Sequence, residues 1–358
     1  MDKVKVLVIG SAFGADLHMD SYARFRNKVE IAGICSKDPG QIVALAARYG
    51  IEGYAVHDDY ETAIDEVDCD VVDICVPNFL HYAVCMAALN KKRHVICEKP
   101  LATTVQDGRA MVKKAEEVGK NIYYAEDWLF APAVRRALEI VAEGAIGNLQ
   151  YIRARECHSG SHSPFTQTIK LCGGGSMLHL GIHPLAFVLA LKENRWTEVT
   201  AMKSGGLDGN MRHKKLEGED WCAAVIRFED GTAAAVEGNY IANGGMEDVI
   251  DFYGDKGRMH VDLGMSSAVS CFSIPGVRYT IEKAEVTTGW SRPAVDEKYI
   301  LGYVGEIGHF LDCIRDGAPA QPGLRGQDGL EALELLFYIY QSANEGQVIR
   351  NPKIGGNV

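Results

Sequence analysis

Through the first third of the chain, short and nearly continuous apolar runs alternate with amphipathic stretches. Val4-Lys5-Val6-Leu7-Val8-Ile9 opens the series, and Val29-Glu30-Ile31-Ala32-Gly33-Ile34-Cys35 follows. Further runs are Tyr54-Ala55-Val56, Val71-Val72-Asp73-Ile74-Cys75-Val76, His94-Val95-Ile96-Cys97 and Asn121-Ile122-Tyr123-Tyr124-Ala125. Each reads as a strand, and helical patterns fill the gaps, running from Gly14 past Tyr22 and then over 41–49, 60–66, 81–90 and 106–118. Strict strand–helix alternation predicts a parallel, doubly wound sheet with right-handed crossovers. A Rossmann dinucleotide-binding domain over residues 1–125 is the expectation.

From about Glu126 the pattern changes. After a helix at 132–143, strand-like stretches with period-2 alternation occupy 149–157, 196–202, 221–228, 232–240, 248–253, 257–261 and 277–281. Glu229-Asp230-Gly231 and Gly254-Asp255-Lys256-Gly257 read as hairpin turns. Residues 126–358 are therefore expected to form an α+β domain with an open, largely antiparallel sheet. An open sheet leaves one face to bury, which predicts a homodimer or homotetramer packed through it.

Composition narrows the class. The chain has 358 residues, 47% hydrophobic and 24% charged, which suits a two-domain globular protein. A net charge of −11 argues against nucleic acid or an anionic membrane as partner. No run of about eighteen apolar residues occurs, and no signal-peptide pattern opens the chain. The ten cysteines are scattered without a Cys-x-x-Cys pair, as for reduced thiols in a cytoplasmic protein.

The chemistry gathers where strands end. Gly10 closes the first strand, and Ala12, Phe13 and Gly14 follow. Small residues there let backbone N–H groups approach a pyrophosphate, although Ala12 and Ala15 stand where glycines are usual. The second strand ends in Ser36-Lys37, with Asp38 only afterwards. A cation in place of a first acidic residue favours NADP, with NAD also accommodated. The fifth strand ends in Glu98-Lys99-Pro100, where a lysine at a strand's carboxyl end is a candidate proton-transfer group.

Taken together, these segments resemble the glucose–fructose oxidoreductase and inositol dehydrogenase family (Gfo/Idh/MocA). Gly10…Gly14, Val76-Pro77-Asn78-x-x-His81 and Glu98-Lys99-Pro100 carry the likeness in the first domain. Gly173-Gly174-Gly175…His179-x-x-x-His183, Tyr253-Gly254-Asp255-Lys256-Gly257 and Gly329 through Val348 extend it to the rest. The resemblance implies an NAD(P)-dependent oxidoreductase of a sugar, cyclitol or related polyol. It implies that Lys99 and His183 do the proton work. It also implies that Pro77, Asn78, His81 and Glu98 serve the cofactor with the Gly10 turn.

The departures from the family pattern are informative. His179 stands where the family helix carries Asp, and on one helix it would share a face with His183. Glu156-Cys157-His158-Ser159-Gly160-Ser161-His162 supplies two more histidines. His158, His162, His179 and His183 could hold a divalent metal with Glu156, or could hydrogen-bond a polyhydroxylated substrate without one. Pro184 would bend the helix beside His183. Trp128 replaces a polar family position and reads as a wall for a sugar ring or as core. Arg153, Arg155 and Lys170 are weaker candidates for an anionic substrate, and Arg212-His213-Lys214-Lys215 reads as a solvated loop. Two other functions stay open: NAD-dependent glycoside cleavage through transient C3 oxidation, and a non-catalytic dinucleotide sensor.

Overall fold

The structure is a computed structural model that describes residues 3–353 other than His162, 265–266, Ala268, 277–287 and Ala294. The strand expected at 277–281 and the candidate His162 lie outside the described residues. The chain divides into two compact units, Met1–Asp127 with Gly302–Leu333, and Trp128–Leu301 with Glu334–Val358.

The first unit begins β1 (Val4–Ile9), α1 (Phe13–Arg24), β2 (Val29–Cys35), α2 (Pro39–Tyr49) and β3 (Ala55–His57). It continues α3 (Tyr60–Glu66), β4 (Val71–Ile74), α4 (His81–Asn90), β5 (His94–Glu98), α5 (Val105–Val118) and β6 (Ile122–Ala125). All six strands are parallel, in the order β3-β2-β1-β4-β5-β6. The central strands are apolar along nearly their whole length because helices cover both faces of such a sheet. Strand order reverses between β1 and β4, which opens a crevice at the carboxyl ends of those strands. Gly10 and Cys75 meet there.

The second unit holds α6 (Pro132–Ala142), β7 (Leu149–Cys157), α7 (Ile169–Cys172), α8 (Ser176–His179), α9 (Ile182–Leu191) and β8 (Trp196–Lys203). It continues β9 (Trp221–Phe228), β10 (Ala233–Asn239), β11 (Glu247–Gly254), β12 (Arg258–Asp262), the short pair β13 (Cys271–Ser273) and β14 (Gly289–Ser291), and α10 (Glu297–Leu301). Then α11 (Tyr303–Asp316) belongs to the first unit, α12 (Gly326–Glu345) passes from the first to the second, and β15 (Ile349–Arg350) ends the second. No single helix among the described residues is long and apolar enough to cross a membrane.

The large sheet, β12-β11-β7-β10-β9-β8-β15, is largely antiparallel as expected, with β7 and β10 its one parallel pair among the described residues. Two expectations need correction. Residues 302–333 pack with the first unit rather than the second. Gly308 lets α11 lie against α1, since a Cβ there would stand 2.7 Å from the Phe25 ring. Lys28 Nζ pairs with Asp312 at 2.9 Å, and the Tyr124 N–H donates to Leu324 O at 2.8 Å.

The second correction concerns the histidine pair. His179 and His183 do not share one helix, because the chain breaks at Leu180-Gly181 and α9 turns away from the preceding helical segment by 57°. The break precedes Pro184, which sits in the first turn of α9 where its missing N–H costs nothing. The bend is held against β10. Ser176 Oγ donates to Gly238 O at 2.8 Å, and the Gly238 backbone touches the bend. A Cβ on Gly238 would fall 2.6 Å from Gly181 N. Helix α9 is apolar on every side and its residues 182–189 are buried, as suits a helix enclosed by protein.

Gly238→Ala is therefore expected to destabilise the second unit by about 1–3 kcal/mol or more through overpacking. Denaturant unfolding checks this, and an unchanged midpoint would show that the bend can shift freely.

Candidate active site

The turns at the carboxyl edge of the first sheet come together as the strand order requires. Gly10 has φ +128, and a Cβ there would stand 2.3 Å from Cys75 O, so only glycine fits. At Gly14 the nearest atoms would be 3.9 Å away, which leaves room above the start of α1. Ala12 at the N-cap offers no side-chain acceptor, so the first N–H groups of α1 await another partner, and Phe13 is exposed. These residues fit a pyrophosphate at a helix N-terminus.

At the end of β2, Ser11 Oγ donates to Ser36 Oγ at 2.6 Å. Asp38 is committed elsewhere: its Oδ1 caps α2 by accepting the Gln41 N–H at 3.1 Å. Lys37 beside it is exposed.

After β4, Asn78 is buried in the turn that follows Pro77. His81 lies with Nδ1 2.8 Å from Pro100 O and Nε2 2.9 Å from Val76 O. A neutral ring carries a single N–H, so His81 donates to one of these two carbonyls and ties its own turn to that partner. Burial lowers the His81 pKa below the ordinary histidine value. Glu98 Oε2 accepts the Lys99 N–H at 3.1 Å, and Glu98 Oε1 lies 3.0 Å from Nε2 of the buried His18. Lys99 itself is half-buried at the rim.

His18 is not singled out by any motif. The available signal is Asp73, a charge inside the apolar run Val71-Val72-Asp73-Ile74, which has to find a partner. His18 and Tyr22 are that partner, one turn apart on α1. His18 Nδ1, an Asp73 oxygen and Cys75 Sγ lie within 4.8 Å of one another, a spacing that could hold a metal. The hydrogen bonds among them already account for the grouping.

In the second unit, the Tyr240 ring lies among the histidines. Its hydroxyl lies 2.5 Å from His179 Nδ1. The His158 ring stacks on it at 5.5 Å and 20°, and His213 meets it edge-on at 6.0 Å. His213 Nε2 also donates to Tyr240 O at 2.8 Å. The loop expected to be merely solvated is in fact anchored, because the Asp220 carboxylate accepts the N–H groups of Met211, Arg212 and His213. Asp220 titrates below the usual carboxylate range: burial opposes the shift, but these backbone donors outweigh it. Burial pushes the Tyr240 hydroxyl well above the ordinary tyrosine value, so it stays protonated.

His158 Nδ1 accepts the Gly160 N–H at 3.0 Å, which places the proton of a neutral ring on Nε2. Among the described residues, His158, His179 and His183 do not gather their ligand atoms within 4.8 Å as a set. His183 is buried and stacks on Trp128 at 6.1 Å and 11°, and its Nε2 lies 3.8 Å from Glu156 Oε2. Trp128 is thus part of the wall behind His183. Arg153 and Arg155 are engaged with Asp251 and Glu247 on the opposite face of the sheet.

A doubly wound parallel sheet with a small-residue turn before its first helix, joined to an open-sheet unit, defines the class of two-domain, nicotinamide-binding oxidoreductases. Two family models bear this out. Residues 4–126 match "Oxidoreductase family, NAD-binding Rossmann fold" and residues 134–260 match "GFO/IDH/MocA C-terminal domain". The chain belongs to the GFO/IDH/MocA oxidoreductase family.

Among its relatives, D-glucoside 3-dehydrogenase of Escherichia coli (strain K12) is 28% identical over 96% of both chains. Levoglucosan dehydrogenase of Pseudarthrobacter phenanthrenivorans is 25% identical over 99% of this chain and 100% of its own. Among solved structures, GenD2 from gentamicin A biosynthesis, in complex with NAD, shares the fold with a TM-score of 0.88. That match has 22% identity over 98% of this chain and 97% of GenD2. Scyllo-inositol dehydrogenase from Lactobacillus casei with bound NAD(H) and scyllo-inositol has a TM-score of 0.79 at 18% identity, over 98% and 99% of the two chains.

One further group in the first unit has no evident structural purpose. Glu306 on α11 is fully buried, and neither carboxyl oxygen meets a hydrogen-bond partner among the described residues. Burial pushes its pKa well above the usual carboxylate range, and Asp127, Glu98 and Glu126 add to this against His18. A carboxyl with a raised folded pKa stabilises most below its unfolded pKa and loses that contribution as pH rises toward the folded value. Glu306→Gln removes this loss, which amounts to at most about 1.4 kcal/mol per pH unit. Its melting temperature should match the wild type near about pH 5 and exceed it increasingly toward about pH 8. A gap that is constant across this range would mean that Glu306 does not titrate as its burial requires.

Proposed function

We propose that the protein oxidises or reduces a secondary alcohol or ketone of a sugar-like substrate, a pyranoside or related polyol, with a nicotinamide cofactor. The observation that carries this reading is Glu98-Lys99-Pro100 at the carboxyl end of β5, beside the Gly10 and Gly14 turn. The named activities of the relatives, on a D-glucoside and on levoglucosan, support pyranosides as the first class to test. When bound, the nicotinamide supplies the hydride acceptor or donor. Lys99 takes the hydroxyl proton as the carbinol becomes a carbonyl, or returns it in reduction. His183, backed by Trp128, shares that proton work from the second unit. His158, His179 and Trp128 line the substrate's place, with Tyr240 and His213 beside them.

The histidines are proposed to hydrogen-bond substrate hydroxyls and to hold no metal, since the Gly160 N–H already engages His158 Nδ1. Ser36 and Lys37 are proposed to accept a 2′-phosphate, so that NADP is used alongside NAD, because Asp38 is spent on α2. The open face of the large sheet carries exposed Met202 and Val225 and is proposed to pair copies of the chain as a homodimer or homotetramer. The free cysteines, nine of the ten buried, suit the reducing cytoplasm. The D-glucoside relative also favours a second reading, glycoside cleavage through oxidation at C3. Release of an aglycone without net change in nicotinamide absorbance would select it. A non-catalytic sensor would bind cofactor and leave every polyol unchanged.

Nicotinamide absorbance with a panel of pyranosides, cyclitols and their ketones tests the main reading. Lys99→Ala is expected to lower kcat by about 10²–10⁴-fold while cofactor binding changes little. If Lys99 and His183 act on one proton, the double variant with His183→Ala should be no worse than the poorer single variant; additive losses would separate them. Lys37→Ala should raise KM for NADP without raising it for NAD, and equal effects on both would remove the 2′-phosphate assignment. Exhaustive chelation should leave turnover unchanged, whereas activity restored only by a divalent cation would return the metal to the site.

A further inference from the structure

Asp73 is a fully buried carboxylate near the centre of a parallel sheet, and His18 from α1 answers it with Nδ1 at 2.9 and 3.0 Å from its two oxygens. Tyr22, one turn further along α1, donates its hydroxyl to Asp73 Oδ2 at 2.9 Å. That pair alone would satisfy the carboxylate. The His18 ring nevertheless reaches further, its Nε2 standing 3.0 Å from Glu98 Oε1. Glu98 Oε2 in turn accepts the N–H of Lys99. Beyond Lys99, Pro100 O is held by His81. The lysine that the proposed reaction needs is therefore gripped on both sides by buried imidazoles.

We propose that His18 is a positioning residue: by bridging Asp73 inside the sheet and Glu98 at its rim, it fixes the Glu98 carboxylate and, through it, the backbone that presents Lys99. This rests on the reading in which Lys99 moves the substrate proton. A ring with both nitrogens against carboxylates is satisfied only as an imidazolium, with a hydrogen on each nitrogen. The surroundings agree with that state. Burial alone would lower the His18 pKa, but Asp73 outweighs it and the ring titrates well above the ordinary histidine value. Cys75, whose thiol burial keeps protonated, also faces Nδ1. Glu306 lies within electrostatic reach from α11. The clamp is thus charged through the range in which ordinary histidines lose their proton.

Ring ¹⁵N NMR of the full-length protein with bound cofactor tests the charge. His18 should keep both ring hydrogens through the range in which exposed histidines titrate, and a neutral ring there would refute the clamp. ¹³C-dimethylation of lysines, with the Lys99 signal assigned through Lys99→Arg, reads its environment without any turnover. His18→Gln should shift or split that signal, and so should Glu98→Gln, which breaks only the rim contact if the first variant folds poorly. Tyr22→Phe, which weakens the Asp73 half alone, should lower stability and leave the Lys99 signal in place.

With a competent substrate, His18→Gln should lower kcat on the order of 10- to 100-fold. It should change KM for the cofactor less than kcat and displace the pH profile. An unmoved Lys99 signal in both Gln variants would overturn the proposal whether or not any polyol is turned over. A moved signal in a protein that turns over nothing would fault the polyol reading and leave the clamp standing.

Discussion

A carboxylate in the middle of a sheet covered on both faces has to be neutralised, and Asp73 is such a group. Removing one partner of a buried pair costs far more than the pair contributes, so Asp73 and His18 depend on each other, with the Tyr22 hydroxyl as a further donor. Their positions are set by different parts of the fold. Asp73 belongs to β4, beside the point where strand order reverses, and His18 and Tyr22 belong to the helix that follows the phosphate turn. Pairing them fixes the rotation of α1 about its axis, and with it the direction in which its first N–H groups face. Gly10 makes the same junction close at the backbone level, where nothing larger fits against Cys75 O. The Gly10 turn and the Glu98-Lys99 turn are thereby built on one buried electrostatic contact.

Much of this was legible in the residues, for a physical reason. Parallel strands enclosed by helices must be apolar throughout, so β1, β4 and β5 announce themselves, and the helices between them show their own period. Gly10, Glu98 and Lys99 fall at the strand ends that such a fold makes functional. The strands of the large sheet were equally visible from their period-2 alternation. Their partners were not, because alternation reports which face is buried and says nothing of direction. That is why the parallel β7–β10 pairing stayed hidden. The same limit applies to α11, whose apolar face is plain while the core it joins is not.

The site in the second unit was half legible. His158, His179 and His183 stand out by residue type, and an unbroken helix would have put the last two on one face. The apolar run around Leu178, Leu180 and Ile182 conceals the break, since every side of that segment is buried and no polar face marks its phase. Gly181 and Gly238, which permit the contact, are common residues with no local signature. Tyr240 and His213 carry no motif at all. They meet because Asp220 gathers three N–H groups of the 211–213 loop, a tertiary contact that no spacing encodes.

The polar clusters of the two units differ in kind. In the first unit Glu98 is locked by His18 and by the Lys99 N–H, which leaves that carboxylate little freedom. The second unit holds a different set. Its imidazoles present distinct hydrogen-bonding edges, and the Gly160 N–H sets the tautomer of a neutral His158 with its hydrogen on Nε2. A neutral imidazole both donates and accepts, whereas an ionised carboxylate at the place of His179 would only accept. The departure of this chain from its family at His179 is thus a change from a group that only accepts to one that can also donate.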